Sequence, residues 1–389
     1  MTAFKLAYRN LIGAGLRTWL NVFVLSLVYI LIIWFYGLLD GWNRQAKRDM
    51  INWETGTGQY WQKNYDPYDP FTLNDSHDKI PAEVKDDINK GLITPILISQ
   101  ASIYPEGRIQ GALLKGIDPG QTILELPTEK LAIEMEEIPA IIGTVMAKTN
   151  KLEEGDYVTV RWRDVNGTFD AAEARIVGIF KTFVPSVDAG QLWIPLERLQ
   201  EMKQMQGEAT IMVCGNNYTS ETIDGWNFTG LDILMKEVDD IIATKSKGGS
   251  IMYIFLMLLA MLAVFDTQVL SIFRRQREIG TYMAMGMTRG QVVRLFTIEG
   301  AMHAVLAALL GAVYGIPLLS LQAIKGFAIP GDSGSYGLAM ADTIYPVYSI
   351  GLIVATILIV LITTTIVSYL PARKIAKMNP TEAIKGKLQ

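Results

Sequence analysis

Residues Ser271–Gly300, SIFRRQREIGTYMAMGMTRGQVVRLFTIEG, join two long apolar segments through a basic connector punctuated by glycine. Ser271 to Met285 reads as a helix leaving the first of those segments, with Arg274, Arg275 and Arg277 at its end. Glu278 stands at i+3 and i+4 from two of them, the spacing at which helical side chains meet. Gly286 suits a helix terminus. Thr288 followed by Gln291 is a Thr-x-x-Gln capping pattern, so a second helix is expected from about Arg289 into the next apolar segment.

Half of the 389 residues are hydrophobic, too many for an ordinary soluble enzyme, and they are unevenly spread. Four segments, about Trp19 to Leu39, Ile251 to Phe273, Ile298 to Ile324 and Pro346 to Leu370, each offer roughly 20 or more apolar residues, enough for a helix to cross a hydrocarbon layer of about 30 Å. Residues 40–249 hold 21 Lys and Arg against 33 Asp and Glu, a net of −12, whereas the rest of the chain is net basic. Nearly all of that positive charge lies before the first span, between spans two and three, and after span four. Short Lys- and Arg-rich loops stay cytoplasmic. The expected fold is therefore a membrane α-helical protein with four transmembrane helices and a large α+β extracytoplasmic domain between helices 1 and 2. Both termini are expected to be cytoplasmic, in a bacterial cytoplasmic (inner) membrane.

This gives a linear plan. Residues 1–39 form an amphipathic lead-in (3–15, AFKLAYRNLIGAG) and the first span, read as an uncleaved anchor because the apolar run is too long for a signal peptide. The acidic insert occupies 40–249. Span two is 250–273, the cytoplasmic coupling segment 274–297, span three 298–324, a short outer loop 325–345, span four 346–370 and a cytoplasmic tail 371–389.

Within the insert, Asp40 to Asp78 is polar and rich in aromatics, including Trp42, Trp53, Tyr60, Trp61, Tyr65 and Tyr68, and shows no regular period. Beyond it, short alternating or β-branched runs predict strands at Ile93–Ile98, Ile109–Lys115, Ala140–Ile142, Tyr157–Trp162, Ala174–Ile179, Gln191–Ile194 and Ala209–Val213. Helical patches fit at Pro81–Lys90, Gly143–Thr149, Pro195–Gln206 and Leu231–Lys247. With Cys214 the single cysteine, no intramolecular disulfide can hold this domain.

RRQREIG followed by AMGMTRGQ resembles the signature of the FtsX-like permeases of ABC transporters, a family that includes the lipoprotein-releasing LolC/LolE and exporting MacB types. The tail SYLPARKIAKMNPTEAIKG is similar to that family's ending. The resemblance implies that the connector docks on a cytoplasmic ABC ATPase through Arg274, Arg275, Arg277, Glu278, Ile279, Gly280, Met285 and Gly286. It also marks Pro371, Arg373, Asn379, Pro380 and Glu382 as the tail motif. Read physically, Pro371 interrupts span four where it leaves the membrane, and Asn379, Pro380 and Glu382 supply an N-cap, a preset first turn and a first-turn carboxylate for a terminal helix.

No GxxxxGK[ST] phosphate loop occurs, so ATP and Mg are expected on a partner ATPase, with no cofactor, no metal and no catalytic residue in this chain. Two histidines and one cysteine leave little for zinc ligation or nucleophilic catalysis. Asp266 and His303 are ionisable residues inside apolar segments, hence functional candidates, with a structural polar contact the favoured role for Asp266. Ala304, Ala308, Gly311 and Gly315 form a small-residue stripe suited to close helix contact, either within the chain or with a second subunit.

The expected function is that of a permease subunit paired with a second copy or paralogue and with ATPase subunits. It would transmit ATP-driven motion to work on a substrate at the outer leaflet, in the favoured branch releasing a lipoprotein. A mechanical regulator of a cell-wall hydrolase and a MacB-like efflux or peptide-resistance permease are the alternatives. Membrane lipids and a lipoprotein or periplasmic protein are expected contacts, and nucleic acid is not.

Overall fold

The structure, a computed structural model, describes residues 16–328 and 343–376; the lead-in at 3–15 and the tail residues Asn379, Pro380 and Glu382 lie outside them. The described chain divides into two units, a helical one of 16–42, 242–328 and 343–376 and a sheet-based one of 43–241.

Helix α1 (Leu16–Met50) does not stop where its apolar run ends at Leu39 but continues for several turns and finishes in a wide π-type turn, Ile51–Thr55. The strands that follow are β1 (Gly58–Gln62), β2 (Asp78–Lys79), β3 (Ile93–Tyr104), β4 (Gln110–Ile117), β5 (Ile138–Gly143), β6 (Tyr157–Arg163), β7 (Phe169–Phe180), β8 (Gln191–Pro195), β9 (Glu208–Ala209), β10 (Ile211–Cys214) and β11 (Trp226–Gly230). Short helices α2 (Lys85–Asn89), α3 (Thr144–Asn150), α4 (Pro185–Gly190), α5 (Leu196–Lys203) and α6 (Leu231–Leu234) lie among them.

Nine strands form one sheet in the order β11-β1-β10-β3-β4-β8-β5-β7-β6, and β3 also pairs with β6. The six strands β3, β4, β8, β5, β7 and β6 therefore close on themselves. β3 makes this possible by its length, pairing with β10 through Ile93–Ile96 and with β6 through Ala101–Tyr104. Alternation sets the faces: in β6, Val158, Val160 and Trp162 are buried while Arg161 and Arg163 point out. Leu97, Leu114, Ile142, Ile176, Leu192 and Ile194 fill the same interior, which Met146 of α3 and Leu199 of α5 also join.

A second core lies around Trp193, Ile96, Ile117 and Val213, and Trp53 stacks on Phe180 beside it at 5.7 Å. The aromatic-rich segment is thus structured. Its β1, which sequence periodicity did not reveal, carries Tyr60 fully buried, with its hydroxyl accepting from the Glu221 N–H at 2.8 Å. Cys214 is buried as well, and that burial pushes its thiol up to about 12, leaving it protonated at neutral pH.

The helical unit continues with α7 (Lys236–Arg274), α8 (Gln276–Ala284), α9 (Arg289–Lys325) and α10 (Ile350–Ala376), and two short strands, β12 (Phe327–Ala328) and β13 (Thr343–Ile344), pair antiparallel between the last two. Among the described residues four helices, those holding α1, α7, α9 and α10, are long and apolar enough to cross a membrane. The small-residue stripe of α9 meets α1 within the chain. Ala304 packs with Val22, Leu25 and Tyr29, and a Cβ added at Gly315 would come within 2.9 Å of Ile30. Ser26 and Tyr314 join their hydroxyls at 2.7 Å across the same seam. In contrast, α7 leaves Ile251, Phe255, Leu258, Leu259 and Leu262 exposed, an apolar surface that lipid or another protein has to cover.

Candidate functional site

The connector is a helix, a tight turn and a second helix, and each part follows from local sequence. At Arg275 the backbone leaves helical values (φ −95°, ψ 15°), so Ser271–Met285 is not one helix as its pattern suggests but α7 and α8 meeting at a break. The break turns Arg275 into the unit. Its Nη1 donates to both carboxylate oxygens of Glu299 at 2.9 and 3.0 Å, its Nε donates to Glu278 at 2.8 Å, and its guanidinium lies over Phe296 at 5.1 Å. Glu299 is 5% exposed, so this is a buried, charge-assisted pair rather than a surface ion pair.

Beyond the break, α8 presents Ile279 to Val292 and Phe296 of α9 and Ala372 of α10, all nearly inaccessible, with Met283, Met287 and Val293 around them. Gly280 and Gln276 are buried on the same side of α8. Pro371 is buried beside Ala372, and α10 runs through it to Ala376 instead of being interrupted there. The proline removes one helical N–H. The clamped seam around Ala372 holds the helix past that loss.

Gly286 ends α8 at φ +96°, a conformation that glycine adopts without strain. Its N–H reaches the Met283 carbonyl at 3.1 Å and the Met287 N–H reaches that of Tyr282 at 3.0 Å, the paired bonds of a Schellman terminus. One residue on, the Thr288 N–H donates to Gln291 Oε1 at 2.8 Å while Thr288 Oγ1 accepts from the Gln291 N–H at 3.4 Å, and α9 starts at Arg289. This is the capping box read from the sequence.

The eight connector residues marked by resemblance thus divide by direction. Arg275, Ile279 and Gly280 face inward and fix the hairpin. Arg274, Arg277, Glu278, Met285 and Gly286 are exposed, Met285 at 70%, and Arg289 and Arg294 add exposed positive charge. Arg373 of the tail is exposed too. His303 is buried one turn after Glu299, and its Nδ1 donates to the Glu299 carbonyl at 2.8 Å, a structural bond. The Asp266 side chain is exposed, so the polar contact expected of it is not made among the described residues. Glu299 and Phe296, which anchor Arg275, were not marked by sequence reasoning. The signal for Glu299 was present, since few carboxylates occur outside the insert.

Among the described residues no group of three or more His, Cys, Asp or Glu stands where it could hold a metal ion. What the site offers instead is a rigidly seated turn with a cationic, methionine-tipped outer face.

Residues 250–380 match the family described as FtsX-like permease C-terminal. The chain is 27% identical to the macrolide export ATP-binding/permease protein MacB of Burkholderia cenocepacia (strain HI2424) over 165 residues, 39% of this chain and 21% of that protein. It is 27% identical to MacB of Bordetella avium (strain 197N) over 233 residues, 55% of this chain and 33% of that protein. A further relative is the ABC transporter permease YknZ of Bacillus subtilis (strain 168), 27% identical over 220 residues, 56% of this chain and 50% of that protein. The chain therefore spans between about a fifth and a half of the length of these relatives. The solved extracellular domain of YknZ aligns with 46% of this chain and 87% of its own at 13% identity and a TM-score of 0.25, too low to bear on the fold.

Proposed function

We propose that the chain works as an ABC permease of the FtsX-like kind that its residues 250–380 match, and that the α8–α9 turn is the handle by which a cytoplasmic ATPase drives it. The observation that carries this reading is the division of the connector into a locked inner face, Arg275 on Glu299 with Ile279 in its seam, and a free outer face of Arg274, Arg277 and Met285. A handle needs both. A loosely held loop would absorb an applied displacement, and a fully buried one could not be gripped. ATP and Mg belong to the ATPase, the connector and tail face the cytoplasm of a bacterial inner membrane, and a second permease copy or paralogue completes the assembly. The excess of Lys and Arg in the connector supports that orientation.

Displacement of the handle passes along α7 and α1, the two helices that lead in sequence to and from the sheet unit, and does work on a substrate at the outer leaflet or beyond it. In the favoured version that substrate is a lipid-modified protein lifted from the membrane. Export of a small amphiphile is the second version, supported by the likeness to the macrolide export proteins MacB. Photo-crosslinkers along α1 that trap lipoproteins favour the first; macrolide resistance that depends on this chain favours the second.

The coupling proposal is tested with Arg277→Glu and Met285→Asp, which alter the outer face alone. Both variants are expected to fold and insert but to lose copurification with the ATPase and its permease-stimulated turnover. Normal assembly and turnover in both would remove the outer face from the mechanism.

A further inference from the structure

We propose that the sheet unit carries, on the outward side of its closed six-stranded portion, a binding site for a small anionic amphiphile: a phosphate or carboxylate group on an aromatic or aliphatic body. The proposal is independent of how the connector is driven. A cavity of about 670 Å³ opens there, between β3, β4 and β6, with Phe71, Gln100, Ser102, Arg161, Arg163 and Phe169 on its walls. That volume lies within the range of about 300–1,000 Å³ usual for small-molecule sites.

The chemistry of the walls sets the ligand class. Although residues 40–249 carry a net charge of −12, no Asp or Glu lines this cavity, while two arginines do. Arg161 and Arg163 are two apart on β6 and so share its outward face, and among the described residues neither has a carboxylate within ion-pair distance. Both are held in place by neutral neighbours. Arg161 lies over the Phe169 ring at 4.3 Å, and Arg163 Nε donates to the Gly167 carbonyl at 3.0 Å, leaving guanidinium N–H groups for an anion.

Apolar walls flank the charge. Phe71 is 88% and Phe169 61% exposed, whereas Tyr60 and Trp193 of the same unit are fully buried. The Phe71 segment is tied to β3, since Gln100 Nε2 donates to the Pro70 carbonyl at 2.9 Å. Gly111 and Gly190 contribute to the lining, and a Cβ at either would meet nothing within 4 Å, so the backbone itself forms open floor. Cationic groups without carboxylate partners among the described residues, beside solvent-facing aromatic rings, match a molecule with a charged head and an apolar body.

The test is calorimetric titration of the full chain in lipid nanodiscs with naphthyl phosphate, naphthoate and the neutral naphthylmethanol, with empty discs as background. Both anions are expected to bind and the neutral analogue to bind at least about tenfold more weakly, as loss of a charged hydrogen bond implies. The double variant Arg161→Ala/Arg163→Ala should weaken both anions by about 10- to 100-fold, with an unfolding temperature equal to the parent's. Lys79→Ala, in a separate cavity of the same unit, should change nothing. Preference for either anion upholds the site and assigns its head group. Equal binding of the neutral analogue, parent-like affinity in the double variant, or no heat above empty discs would overturn it.

Discussion

Glu54, just past α1, and Arg275, just past α7, are both charged groups set among apolar neighbours at the end of a long helix, but they are held differently. Glu54 sits in the sheet unit with four partners: Lys115 Nζ at 3.3 Å, the Ser186 hydroxyl at 2.6 Å, Gln191 Nε2 at 3.0 Å, and Gln59 Nε2 on its carbonyl. Lys115 in turn lies over Trp193 at 5.0 Å. Among the described residues the Arg275 side chain donates its hydrogen bonds to carboxylates alone, and of the two, Glu278 is exposed while Glu299 is buried. The first joint is over-determined and keeps neutral hydrogen bonds if one charge goes. The second depends on one buried carboxylate, whose loss would leave a charge uncompensated.

The largest consequence of that difference is expected from Glu299→Ala. Leaving the Arg275 charge buried without its main partner should cost about 3–5 kcal/mol, read as a lowered unfolding temperature of the purified chain and as new proteolysis in the connector. An unchanged melting temperature would erase the contrast. Glu54→Gln should cost less, about 1–3 kcal/mol, because Ser186 and Gln191 can still pair with the amide.

The same joint has a pH signature. Burial alone would raise the Glu54 carboxyl, but Lys115 and the hydrogen bonds from Ser186 and Gln191 outweigh it and hold it below its ordinary value of 4.5. A carboxylate depressed in the folded state stabilises fully above that ordinary value, and the stabilisation is lost as pH falls through the lower folded value. The melting temperature should thus drop below about pH 4.5, and Glu54→Gln should remove that part of the drop. Parallel pH profiles for parent and variant would show that the pair contributes nothing.

Two smaller changes probe the connector's turn. Gly286→Ala forces a Cβ into a left-handed conformation and should cost about 1–2 kcal/mol. Thr288→Ala removes half of the capping box and should cost about 1 kcal/mol or less. Each should lower the permease-stimulated turnover of the ATPase before it disturbs membrane insertion; insertion lost first would mean that the turn serves folding alone.

The sequence carried much of this. The four apolar segments, the Gly286 terminus and the Thr288–Gln291 cap are local patterns, and the structure has helices and ends where those residues demand them. Strands β3 to β8 were legible because short β-branched runs mark them, or, as in β6, apolar and polar residues alternate. β1 was not, since GQYWQ puts glutamines on both faces and its burial comes from β10 and β11 far along the chain. The break at Arg275 was also hidden: RRQREIG is a sound helix by propensity, and what ends it is a partner 24 residues away.

By itself the sequence determined that the chain makes four apolar helices, an acidic sheet-rich insert and a capped basic connector, because hydropathy, charge and capping act over a few residues. Which arginine points inward, how β3 closes six strands into one ring, and where Arg161 and Arg163 meet exposed phenylalanines were decided only by tertiary structure. Those facts depend on which distant groups share a desolvated space, and a buried charge or a strand edge is satisfied by whatever the fold brings to it.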